Sequence, residues 1–139
     1  MGLSTIYLAS ALDEGEPPMI STELEPAKVA AARSHVAEAG LAHRVTILEG
    51  DALTTLADID GPVSFVFLDG WKSLYLPVLR MLEPALVEGA LIVADDTTQP
   101  MLRHLSVDYL AYVRDASNGY VSAELPIDDG IEISRRERP

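Results

Sequence analysis

The 139-residue chain has no cysteine. That excludes disulfides, thiolate catalysis and zinc–thiolate sites. Basic residues are scarce: 10 Lys and Arg stand against 22 Asp and Glu, for a net charge of −12. Duplex nucleic acid and anionic membranes both demand a lysine and arginine footprint, so neither is an expected partner. Long apolar runs are missing too, and a stretch such as residues 90–94 is far too short to span a bilayer. No basic-then-apolar signal segment opens the chain, which makes a cytoplasmic location the default expectation. Neither an internal repeat nor a Gly-x-Gly-x-x-Gly motif is found, and the second absence argues against an NAD-linked oxidoreductase. What remains is ordinary for a folded domain, with 48% hydrophobic and 23% charged residues. Length predicts one domain over residues 1–139.

Apolar patterning and its Gly and Pro breaks predict alternating elements. Residues 4–12 read as a helix with Ser4 a candidate cap, and residues 19–23 as a strand after Pro17-Pro18. Pro26 suits a first helical turn, and the alanine-rich residues 27–39 continue it until Gly40. A strand over 44–48, a short helix over 51–57, a strand over 63–68 and a helix over 73–82 follow. A strand over 90–94 and a longer helix over 100–116 come next. Residues 120–125 and 131–134, around Asp128-Asp129-Gly130, read as an antiparallel hairpin. The order predicts a three-layer α/β domain with a mainly parallel sheet.

Two predicted strands end in acids. One runs into Phe67-Leu68-Asp69-Gly70-Trp71-Lys72, the other into Ile92-Val93-Ala94-Asp95-Asp96. Ligands of open α/β sheets sit beyond the carboxyl ends of strands. Asp69, Asp95 and Asp96 offer only oxygen, which favours Mg²⁺, Mn²⁺ or Ca²⁺ over zinc. An isolated acid at such a place also serves as a turn or cap residue. It is the combination with Trp71 and Lys72 that suggests a hard cation beside a proton acceptor. His35, His43 and His104 lack metal-ligand spacing and read as surface or packing residues. The closing residues 135–139 read as a solvated tail.

The element order and these segments resemble the class I S-adenosylmethionine-dependent O-methyltransferases, of the catechol O-methyltransferase type. Phe67 to Lys72, continuing through Tyr75-Leu76-Pro77, is similar to that family's catalytic segment. Ala94-Asp95-Asp96 matches its Ala-Asp-Asn, Gly50-Asp51-Ala52 resembles its adenine-side loop, and Glu23 falls at its ribose-binding acid. The resemblance implies a Rossmann-like methyltransferase fold and transfer of a methyl group from S-adenosylmethionine to a small, aromatic diol-like acceptor. A Mg²⁺ ion would be held by Asp69, Asp95 and Asp96. Lys72 would take the acceptor's proton, with Trp71, Lys72 and Asp96 against the substrate. Gly2, Ser4, Glu23, Asp51, Ala52 and Asp69 would contact the cofactor. Glu23 and Asp51 also have plain readings, as a loop acid and a helix cap. Trp71 could form an aromatic wall or simply pack.

Some positions depart from the family. Asp96 stands where the family has Asn. A third carboxylate would hold a cation at least as firmly but disfavours loss of a proton from a nearby ammonium, so Asp96→Asn is expected to raise activity. At the hairpin turn, Pro126 falls near a family glutamate, for which Glu124 or Asp128 could substitute. The family's first strand and the opening of its glycine-rich turn have no counterpart before Met1-Gly2-Leu3-Ser4, so an N-terminally incomplete domain is expected. The alternative reading is a non-catalytic remnant that self-associates through exposed strand edges. A phosphoacceptor receiver domain is rejected, because its acidic pair precedes the acceptor Asp and the Lys, the reverse of the order here.

Overall fold

The computed structural model describes residues 2–137, which divide into two compact units, residues 2–58 and 59–137. The first unit begins with α1 (Leu3–Ser10), followed by β1 (Met19–Glu23), α2 (Pro26–Glu38), β2 (Val45–Glu49) and the single turn α3 (Ala52–Thr55). Strands β1 and β2 pair in parallel, Met19 opposite Val45 and Glu23 opposite Glu49. Pro26 opens α2, where its missing N–H costs nothing. Val29, Ala32 and Val36 recur at helical spacing on α2 and are buried with Ile47 of β2; Ile6, Leu41 and Val45 pack against them.

The second unit holds β3 (Val63–Leu68), α4 (Tyr75–Leu82), β4 (Leu86–Ala94), α5 (Val107–Arg114), β5 (Tyr120–Leu125) and β6 (Ile131–Arg136). Its four-stranded sheet has the order β3-β4-β6-β5. β3 and β4 are parallel; β6 runs antiparallel to both β4 and β5. Tyr75, Val78, Leu79 and Leu82 give α4 a buried face.

β1 and β3 each have one strand neighbour, so each is a sheet edge among the described residues. The expected single sheet is therefore present as a two-stranded and a four-stranded piece.

Several local expectations are corrected. Ser4 lies inside α1, and Gly2, in the left-handed region at φ 77°, takes the cap position. β4 begins at Leu86 rather than at residue 90. It passes through Gly89 (φ 83°) at a break in its register with β3, a conformation that suits glycine. The predicted helix over 100–116 shortens to α5, preceded by a 3₁₀ turn at Arg103–Leu105. Arg135 and Arg136 are not a solvated tail: they belong to β6, and Arg136 donates to the Asn118 carbonyl (2.8 Å) with its guanidinium over the Tyr120 ring. Residues 138–139 of that tail lie outside the described residues.

Candidate active site

In the second unit, β3 and β4 end side by side, Leu68 opposite Ala94, and the Asp95 amide extends the pairing by donating to the Leu68 carbonyl at 2.9 Å. The strand ends thus bring Asp69 and the 71–75 turn near Asp95 and Asp96. Trp71 caps a 3₁₀ turn over Lys72–Leu74 that leads into α4. Trp71 is 69% exposed.

Lys72 points inward and is only 5% exposed. Its Nζ donates to Tyr75 Oη at 2.9 Å and lies 3.5 Å from Asp96 Oδ2. Tyr75 Oη in turn donates to the Asp95 backbone carbonyl at 3.0 Å. Burial, reinforced by the charges of Asp69, Asp95 and Asp96, pushes the Tyr75 phenol far above its ordinary value, so it remains a neutral hydroxyl. Asp95 Oδ1 accepts from the Asp96 amide at 3.0 Å. Asp96 adopts φ 53°, a left-handed conformation that Asp and Asn tolerate better than most side chains.

The Asp95 carboxyl is shifted upward, first by desolvation and then by the charge of Asp96, with Asp69 adding to the effect. These acids feel one another, and a bound cation would relieve that repulsion. The all-oxygen donor chemistry fits a hard divalent ion. As placed, no three acidic or histidine side chains among the described residues gather into a metal-holding group. Asp95 and Asp96 are instead engaged with an amide and an ammonium.

The hairpin turn after β5 is tied to the segment beyond Asp96. The Thr97 and Thr98 amides donate to the carbonyls of Gly130 and Asp129 at 3.0 and 2.8 Å. A Cβ on Gly130 would lie 2.4 Å from Thr98 Oγ1, so glycine permits this approach. Glu124 is ion-paired to Arg114 at 2.7 Å, whereas Asp128 is exposed in the turn. The sequence reading missed Tyr75 as a polar member of the site. Its place three residues after Lys72, in the first turn of α4, was the available signal.

The first unit holds the other candidates. The Glu23 carboxylate, at the end of β1, accepts from the Glu25 amide at 2.9 Å, and its carbonyl accepts from the Gly50 amide at 3.0 Å. Asp51 caps α3 by accepting from the Leu53 amide at 2.9 Å, so the capping reading holds for it. Ala52 begins that helix. Gly2 lies against α2, where a Cβ would meet Ala32 Cβ at 3.3 Å. His35, His43 and His104 are exposed.

A family model described as a methyltransferase domain matches residues 1–97. Catechol O-methyltransferase B of Danio rerio is 32% identical across 96% of this chain and 53% of its own length. The chain belongs to the class I S-adenosylmethionine-dependent O-methyltransferases of the catechol O-methyltransferase type. A catechol O-methyltransferase of Mus musculus is 34% identical over 84% of the chain and 45% of that enzyme. The chain therefore spans about half the length of the curated relatives it matches. Among solved structures, the O-methyltransferase from Bacillus cereus in complex with SAH has a TM-score of 0.85 at 22% identity, covering 98% of this chain and 70% of that one. TomG from Streptomyces achromogenes, solved with SAM, has a TM-score of 0.80 at 25% identity, covering 99% and 69%. These likenesses show the Rossmann-like methyltransferase fold. No described helix is long and apolar enough to cross a membrane.

Proposed function

We propose that this chain carries the base and acceptor-binding residues of an S-adenosylmethionine- and divalent-metal-dependent O-methyltransferase that acts on a hydroxyl of a small aromatic diol. The observation that carries this reading is the buried Lys72 amine, held beside Asp96 where β3 and β4 end. S-adenosylmethionine supplies an electrophilic methyl group, and a divalent cation, preferably Mg²⁺, makes a bound hydroxyl more acidic. Asp69, Asp95 and Asp96 would hold the cation.

Lys72 Nζ removes the proton from the acceptor hydroxyl, for which the amine must itself be neutral. The burial of its stem keeps water from competing for that proton. Trp71, exposed beside Lys72, offers a flat face to an aromatic ring. In the first unit, Glu23 is suited to accept from ribose hydroxyls, and Asp51-Ala52 to border the adenine; Gly2 and Ser4 would flank the methionine portion. Positioning and electrostatics would supply most of the acceleration. A small-molecule acceptor is the partner this implies.

Incubation with S-adenosylmethionine and a catechol probe, followed by mass spectrometry, tests the reading. The expected outcome is a methylated catechol that requires Mg²⁺ and disappears with Asp69→Ala. Transfer that persists in chelator, or in Asp69→Ala, overturns the metal assignment. No transfer, with no calorimetric heat from S-adenosylmethionine, overturns the enzymatic reading.

A further inference from the structure

Lys72 and the end of β4 are joined through a hydroxyl. Tyr75 is 2% exposed, and its ring is fixed edge-on to Tyr109, with centroids 5.7 Å apart and planes at 80°. A phenol has one proton to donate. Tyr75 directs it to the Asp95 carbonyl at 3.0 Å, so toward Lys72 Nζ, 2.9 Å away, it presents a lone pair.

Beyond its bond to the stem, the Lys72 nitrogen has three tetrahedral directions. Tyr75 Oη takes one and Asp96 Oδ2 lies on another, which leaves a single open direction. We propose that Tyr75 is a positioning residue. Its hydroxyl, anchored on the Asp95 carbonyl, fixes the Lys72 nitrogen so that this open direction faces the acceptor. The functional part of this inference rests on the O-methyltransferase reading above; the anchoring part does not.

The chain suits a direct test because Lys28 and Lys72 are its only lysines. Lys28, on α2 and partly exposed, provides an internal reference. Acetylation by an N-hydroxysuccinimide ester, followed over time by mass spectrometry, reads both amines in the intact protein. In the unsubstituted chain, Lys72 is expected to react more slowly than Lys28; equal rates would overturn the anchoring, whatever happens to the variant. Tyr75→Phe keeps the ring and removes the hydroxyl. It is expected to raise the Lys72-to-Lys28 ratio about tenfold, the size of one lost hydrogen bond, with an unchanged circular dichroism spectrum. An unchanged ratio would overturn the proposal.

In methyl transfer to the catechol probe, Tyr75→Phe is expected to lower kcat about tenfold and leave the acceptor KM unchanged. A raised KM with unchanged kcat would overturn the positioning role and make Tyr75 a binding residue. If neither protein transfers methyl, the O-methyltransferase reading fails, and the labelling ratio still decides the anchor.

Discussion

Asp95 sits among like charges. Burial and the neighbouring Asp96 raise its carboxyl above the ordinary value, and Asp69 acts in the same direction. A carboxyl whose folded-state value lies above its unfolded one binds its proton more tightly when folded. Its stabilising contribution is full below the unfolded value and is lost as pH rises through the folded one. Ionised Asp95 therefore strains the fold at neutral pH. Asp95→Asn keeps an oxygen for the Asp96 amide and removes the charge, so its melting temperature should exceed that of the unsubstituted chain at neutral pH, with the gap closing in acid. A lower melting temperature at neutral pH would contradict this. Asp96 acts differently, because its carboxylate faces the Lys72 ammonium at 3.5 Å. Asparagine accepts the φ of 53° equally well and cannot hold an ammonium by charge. Asp96→Asn should raise the rate of methyl transfer several-fold near neutral pH, as steady-state kinetics would measure; an equal or lower rate counts against it.

At the scale of elements, the β5–β6 hairpin is fastened to α5 by charge. Glu132 on β6 is fully buried, and Arg114 at the end of α5 grips it with Nε at 2.9 Å and a second nitrogen at 2.5 Å. Ser122 Oγ adds a contact at 2.5 Å. Removing one partner of such a pair strands a buried carboxylate. Arg114→Met should cost about 3 kcal/mol in chemical denaturation, and a loss below ~1 kcal/mol would show that the pair is dispensable. The hairpin itself was legible from the Asp128-Asp129-Gly130 turn and its flanking apolar runs. Its fastening was not, because Arg114 and Glu132 are 18 residues apart and meet only when α5 packs on the sheet. Similarly, Gly89 reads as a strand breaker, yet it lies within β4 because the register shift opposite β3 uses its left-handed conformation.

For the molecule as a whole, local sequence determined the identity and order of nearly all strands and helices. β3 was legible to the residue because a β-branched and aromatic run lies between Gly61-Pro62 and Asp69-Gly70. The acids at the ends of β3 and β4, together with Lys72, were readable as well, because chemistry at strand ends is written in short contiguous segments. Tertiary structure alone decided which strands pair, leaving β1 and β3 as edges of two sheets. It also decided that Tyr75 joins Lys72 to the Asp95 carbonyl, and that Asp95 and Asp96 engage an amide and an ammonium. The physical reason is range. Propensity, turns and apolar period act over a few neighbouring residues, whereas strand pairing, burial and charge coupling depend on residues that only folding brings together.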